Sequence, residues 1–275
     1  MPVTQISAFG ELLRRWREVR RLSQLELALE ANVSARHISF IETGRAKPSR
    51  EMILMLASVL DVPLREQNAL LQAAGFAPAY RETNLSAPQM AQVRQALELI
   101  LKQQEPFAAL VFNRKWELVM ANASYARLVT LLAGRAELLV EPYAVAPPPR
   151  LNLLRATFAP DGWRPFFANW ETLAKAMLTR WRRETILEAD PEARQLLQEV
   201  LSYPGVPARW HEPDFESAQD LLIPVELKLG EQTLKLFSTI TTLGSPQDIT
   251  LQELRIEAFH PVDEATAQFV RALAS

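Results

Sequence analysis

The sequence predicts an all-α domain followed by an α+β domain built on an antiparallel sheet. Three observations carry that reading. Apolar residues from Ala8 to Gly75 recur at helical spacing with no strand pattern. A stretch bearing Gly, Pro and Ser at residues 75–88 breaks the rhythm. Period-two alternation appears only beyond residue 105 and is clearest between Val225 and Ala258. At 275 residues the chain is long for one compact domain. The expected division is a first domain over 1–80, a linker and connecting helix over 81–104, and a second domain over 105–275.

The first helix is set by Phe9, Leu12, Leu13, Trp16 and Val19, with arginines on the opposite side. Arg14, Arg15, Arg17, Arg20 and Arg21 fall within eight positions and are read as partly solvated. Ser23 and Glu26 have the spacing of a capping box, flanked by Leu22 and Leu27, so a second helix begins near Gln24. After a turn at Asn32, Ser34 caps a third helix that stops at Gly44. Pro48 and Ser49 open a fourth, whose Ile53, Leu56, Ala57 and Leu60 share a face. Pro63 opens a fifth that ends at Gly75.

In the second half, "QMAQVRQALELILKQQ" gives the connecting helix. Two β-prone runs around Asn113, Arg114 and Lys115 read as a hairpin. Val225, Leu227 and Leu229 alternate with Glu226 and Lys228, Gly230-Glu231 turns the chain, and a strand returns through Phe237 to Thr242. A last strand, "LQELRIEAFHP", alternates Leu254, Ile256 and Ala258 with charged residues, which predicts a sheet with one polar face. Between the strands, Phe166, Phe167, Trp170, Leu173, Ala174, Met177, Leu178 and Trp181 form one helical stripe, with Lys175, Arg182 and Arg183 mainly off it. That stripe packs against the sheet as core, or its aromatic side chains wall an apolar pocket. The candidate pocket residues are Phe112, Trp116, Phe158, Trp163, Phe166, Phe167, Trp170, Met177 and Phe237, and the sequence does not separate wall from core.

Composition excludes several chemistries. There are no cysteines, hence no disulfides or thiolate sites. The histidines are His37, His211 and His260, too scattered for a metal site. No GxSxG, Walker A or GxGxxG motif occurs, and carboxylates such as Asp161 and Asp214 have no evident pair, so neither an enzyme nor a cofactor is expected. The N-terminus has no apolar signal core and no run is long enough to span a bilayer, which predicts a soluble, cytoplasmic protein with no membrane partner. Residues 1–81 carry 11 basic and 8 acidic side chains, and residues 82–275 carry 19 and 24. The first domain is therefore the basic one.

On the third helix, Ile38 and Ile41 fall together toward the core, while Arg36, Ser39 and Phe40 cluster on the other side with Ala35 and His37 at the margins. A helix fits the major groove, where Arg can pair with guanine and apolar groups can meet thymine methyls. The segment "LSQLELALEANVSARHISFIETGRAKPSREM" resembles the helix-turn-helix of the XRE/Cro/C1 repressor class, with Gln24, Ala28, Val33, Ser34, Ile38, Ile41, Glu42, Gly44 and Pro48 at the characteristic spacing. The resemblance implies base-edge contacts by Ala35, Arg36, Ser39 and Phe40, and phosphate contacts by Gln24, Arg45, Lys47 and Arg14. Two departures stand out: Asn32 replaces the usual turn glycine, and Ala35 is shorter than the polar residue often found there. The second half resembles the ligand-binding domain of MmyB-like transcription regulators, a PAS-like sensor, through "EPFAALVFNRKWELVMAN", "NLLRATFAPDGWRPFFANWETLA", "LLQEVLSYPG" and "FSTITTLGSPQDITLQELRIEAFHPVD". This implies a homodimeric regulator bound to a pseudo-palindromic double-stranded DNA operator, with an apolar, fatty-acid-like ligand in the second domain. The competing reading is a helix-turn-helix protein-interaction module with a C-terminal dimerisation domain and no ligand.

Overall fold

Ser23, Ser34 and Ser49 each accept a hydrogen bond from the backbone N–H three residues on, starting α2 (Gln24–Glu30), α3 (Ala35–Glu42) and α4 (Arg50–Val59). The computed structural model describes residues 8–133, 141–185, 191–211 and 224–274. Glu26 returns the Ser23 bond, completing the capping box. Asn32 takes the left-handed conformation at φ 52°, as its place in the turn requires. With α1 (Ala8–Val19) and α5 (Leu64–Ala73), these helices bury Leu13, Leu27, Ile38, Ile41, Ile53, Leu56 and Leu71 completely.

Helix α5 has no side-chain cap of its own, because Pro63 precedes it. Its Leu64 N–H is taken instead by the Gln252 Oε1 atom at 2.7 Å, 188 residues away. Around it the Asp248 carboxylate accepts the Thr83 hydroxyl at 2.6 Å, Ile249 N–H donates to the Arg81 carbonyl at 2.9 Å, and Ile249 is buried. Residues 1–83 and 245–252 thus form one compact unit, and residues 84–244 with 253–275 form the other. The division expected from sequence is contiguous, whereas these units are not. Gln252→Ala should raise the opening of the first turn of α5 by about 1 kcal/mol, a roughly fivefold faster amide exchange at Leu64; an unchanged rate would deny Gln252 its capping role.

The second unit holds a five-stranded antiparallel sheet in the order β2-β1-β5-β4-β3, from β1 (Ala109–Phe112), β2 (Leu118–Ala121), β3 (Val225–Leu229), β4 (Gln232–Thr241) and β5 (Arg255–Pro261). The other helices are α6 (Ala91–Gln103), α7 (Ala123–Ala133), α8 (Leu153–Phe158), α9 (Trp170–Thr185), α10 (Pro191–Ser202), α11 (Ile249–Glu253) and α12 (Glu264–Ala274). Ile240 and Leu110 both pair with Glu257, Ser238 pairs with Phe259, and Val225 with Leu236, so these side chains share one face.

Three expectations need correction. The strand assigned to "LQELRIEAFHP" begins at Arg255; Leu251 to Glu253 belong instead to α11, whose first turn is held by Asp248 accepting the Thr250 N–H at 2.9 Å. Phe166 and Phe167 precede α9 rather than extending its stripe. Phe166 ends a short 3-10 turn and Phe167 bridges Leu227, while the Asn169 side chain donates to the Pro224 carbonyl at 2.7 Å. The expected polar face is solvated only on β3 and β4, where Lys228, Thr233, Lys235, Thr239 and Thr241 are exposed. Glu257 lies on the face beneath the helices, and Ile256, Ala258 and Val111 on the opposite face are buried as well. The start of the third predicted strand, Leu221 to Ile223, and Asp214 lie outside the described residues, as do the side chains of Arg183 and His211.

Candidate nucleic-acid interface and ligand cavity

In α3, Ile38 and Ile41 are fully buried and Arg36 is exposed, with Ala35, Ser39 and Phe40 half-buried beside it. The Arg36 guanidinium lies 5.0 Å from the Phe40 ring centroid, and that of Arg45 lies 5.9 Å from it. Attraction between each cation and the ring face restrains both long side chains next to the helix. Arg45 is placed there by the turn after α3, where its N–H donates to the Phe40 carbonyl at 2.8 Å and Gly44 takes φ 73°. Lys47 is exposed just beyond. Arg14 is exposed too, but its guanidinium is paired with Glu18 at 2.7 Å, which offsets its charge locally.

The supporting frame was not legible as such. Arg17, read from sequence as a partly solvated arginine, is buried, and it donates to both carboxylate oxygens of Glu42 at 2.6 and 3.0 Å and to the Leu22 carbonyl at 2.8 Å. Gln24 Nε2 donates to the same carboxylate at 2.8 Å. One buried carboxylate therefore ties α1, α2 and α3 together, and any phosphate contact by Gln24 would use its remaining polar atoms. Gly10 completes the packing: a Cβ there would stand 2.3 Å from the Glu42 carbonyl oxygen, so α1 can approach α3 only at a glycine. The signal in the sequence was spacing, since Gly10, Leu13 and Arg17 fall on one face of α1.

The second unit contains an apolar cavity of about 250 Å³ between the sheet and helices α7, α8 and α9. Leu110, Val225, Leu227, Leu236 and Ile240 line it from the sheet, and Leu128, Val129, Leu173 and Ala176 from the helices. Of the aromatic and methionine candidates, Trp116, Trp163, Phe166, Phe167 and Met177 stand in its wall, and Phe112, Phe158, Trp170 and Phe237 do not. Phe158 is fully buried in a ring cluster with Trp170 at 6.0 Å and Trp210 at 6.4 Å, and the Trp170 indole donates to the Thr157 carbonyl. Phe112 packs in the core against Trp116. Phe237 sits one position out of phase with Leu236 and Ser238, so the strand's alternation turns it to the other face, against His260 at 5.1 Å. The predicted stripe on α9 divides likewise: Ala174, Leu178 and Trp181 are buried in the core, while Leu173 and Met177 line the cavity.

Polar side chains that sequence reading passed over also line the cavity: Tyr125, Thr157, Arg180, Ser238 and Glu257. Burial pushes the Glu257 carboxyl above the usual carboxylate range, against the opposing effects of the Ser238 hydroxyl and the Arg180 charge. Burial likewise pushes the Tyr125 phenol far above its ordinary value, with Glu257 adding to the shift, so it remains a neutral donor. Among the described residues no group of three or more His, Asp or Glu is placed to hold a metal ion, and no helix is long and apolar enough to cross a membrane.

Comparison with known proteins bears on both regions. Residues 93–273 match the model of the MmyB-like transcription regulator ligand binding domain, and residues 13–67 match a helix-turn-helix model. The chain is similar to the uncharacterized HTH-type transcriptional regulator RghRB of Bacillus subtilis (strain 168), with 40% identity over 78 residues, covering 28% of this chain and 54% of that protein. It is also similar to the HTH-type transcriptional repressor RghR of the same organism, with 33% identity over 117 residues, covering 41% of this chain and 79% of that protein. The chain thus spans about half the length of the first relative. An RNA-binding light-oxygen-voltage receptor structure aligns over 98% of this chain and 62% of its own at 10% identity, with a TM-score of 0.26, too low to assert a shared fold.

Proposed function

Since the chain belongs to the family of MmyB-like transcription regulators, a family of regulators rather than enzymes, we propose that it is a sequence-specific DNA-binding regulator governed by a small apolar ligand. Helix α3 enters the major groove with Ala35, Arg36, Ser39 and Phe40 toward base edges. Gln24, Arg45 and Lys47 meet phosphates, and Arg14 contributes less because Glu18 offsets it. The observation that carries this reading is the exposed Arg36 guanidinium braced on Phe40, with Arg45 on the same ring. A restrained arginine loses little rotational freedom on forming the two parallel hydrogen bonds that guanine accepts. The protein acts as a homodimer that sets two such helices about one DNA turn apart on a pseudo-palindrome. In the second unit, which we read as a PAS-like sensor from its 2-1-5-4-3 strand order, the cavity takes a fatty-acid-like molecule whose binding shifts the DNA-competent arrangement.

Fluorescence anisotropy on a cognate operator and its single-base variants tests the DNA half. Arg36→Ala should cost about 1–3 kcal/mol on the cognate site and relax preference at one position, whereas Lys47→Ala should weaken all variants evenly and reduce the salt slope by about one. Affinity that ignores salt, or an equal loss across every variant for Arg36→Ala, would reject this docking mode.

A further inference from the structure

Antiparallel neighbours such as β4 and β5 can be joined by about two to five residues. Here residues 242–254 make a longer excursion, and 245–252 of it belong to the N-terminal unit. The chain therefore passes between the units three times rather than once, after residues 83, 244 and 252.

The excursion is anchored where it enters the N-terminal unit. Ile249 is buried, its N–H donates to the Arg81 carbonyl at 2.9 Å, and the Asp248 carboxylate accepts both the Thr83 hydroxyl at 2.6 Å and the Thr83 N–H at 3.3 Å. Gln252 caps Leu64 at the start of α5. The strip that follows α5 is fastened to that helix as well. Asn68 donates to the Tyr80 carbonyl at 2.8 Å and accepts the Ala79 N–H at 2.8 Å, and Arg65 pairs with Glu82. Helix α5 in turn packs on α1, which Arg17 and Glu42 tie to α3. A continuous set of packed and hydrogen-bonded groups thus leads from Asp248 to the recognition helix.

At its other end the excursion begins beside the cavity. Ile240 and Glu257 stand opposite each other on β4 and β5, and both line the cavity. Only one pair, Thr241 with Ile256, separates them from the point where the strands part. The return is held too, because Leu254 is buried and Glu253 pairs with Arg114 at 3.6 Å.

We propose that residues 245–252 are a coupling clasp, which carries a displacement of the β4–β5 rungs at the cavity to α5 and so makes operator affinity depend on what the cavity holds. A single flexible linker would absorb such a displacement, whereas a buried, hydrogen-bonded tie passes it on. The inference rests on the reading of the cavity as an apolar-ligand site that governs DNA binding, and the experiment separates the two.

The full chain is titrated with operator by fluorescence anisotropy, with and without dodecanoate, and dodecanoate binding is measured by calorimetry. In the wild type dodecanoate should change operator affinity by roughly 5- to 150-fold, the usual span of coupling between sites. Asp248→Ala with Gln252→Ala loosens the clasp. Its dodecanoate affinity should stay within about twofold of wild type, and the effect of dodecanoate on operator affinity should shrink below about twofold. A second variant, Arg81→Cys with Asp248→Cys, guards against misfolding of the first. These two residues are bridge partners, neighbouring strands lie about 4.8 Å apart, and the chain has no other cysteine to compete. Oxidised, it should respond to dodecanoate as the wild type does; reduced, it should lose the response. A full response in the loosened variant, or equal responses in the oxidised and reduced cysteine pair, would overturn the clasp while leaving the ligand-governed reading intact. Wild-type protein that takes up no dodecanoate, or takes it up with no change in operator affinity, would overturn both.

Discussion

Glu42→Ala is expected to destabilise the N-terminal unit by about 3–5 kcal/mol and to abolish operator binding with it. The substitution leaves Arg17, 9% exposed, with its charge in the interior and only the Leu22 carbonyl to receive it, and it frees the Gln24 amide that the carboxylate had held. A unit of this size is stable by only roughly 5–10 kcal/mol, so the loss is a large fraction of the total. Hydrogen exchange resolved to α3 and urea unfolding would measure it. The double replacement Arg17→Met with Glu42→Leu should restore much of the stability, because removing both charges together leaves neither uncompensated. Glu42→Ala within about 0.5 kcal/mol of wild type would mean that the pair is not the tie between α1, α2 and α3 described above.

The second large effect is expected in the cavity. Ala176 is a small wall residue on α9, and Ala176→Phe would place a ring inside a space of about 250 Å³. Dodecanoate affinity should fall by at least about a hundredfold, since the ring displaces much of the volume an aliphatic chain would fill. Stability should hold or rise, because filling a void adds contacts to its lining. DNA binding by the ligand-free variant should match that of the ligand-free wild type, and its response to dodecanoate should disappear. Undiminished uptake by a folded Ala176→Phe protein would place the ligand elsewhere.

Much of the N-terminal unit was legible because its signals are local. Ser23, Ser34 and Ser49 cap the helices they were expected to cap, Asn32 turns the chain in the left-handed conformation, and Ile38 and Ile41 face inward, each decided by residues within four positions. The burial of Arg17 has no local signal, because a run of five arginines in eight positions reads as a solvated face. Its burial depends on Glu42, 25 residues later, and on Gly10 permitting the approach. The start of α5 depends on a still more distant residue, Gln252. Helix α9 shows the same limit, since one apolar stripe supplies both Trp181 for the core and Met177 for the cavity wall.

By itself the sequence determined the five helices of the first unit, the capped helix-turn-helix with Arg36 and Phe40 on its outer side, and the alternation within the strands, because period, caps and turn residues act over a few positions. Only the tertiary structure decided which apolar side chains close into core and which leave a space. It also turned Glu257 beneath the helices rather than to solvent, and set residues 245–252 in the first unit. Such outcomes depend on side chains brought together from distant parts of the chain, where volumes must match and each buried charge or donor must find its counterpart. No local pattern encodes that matching.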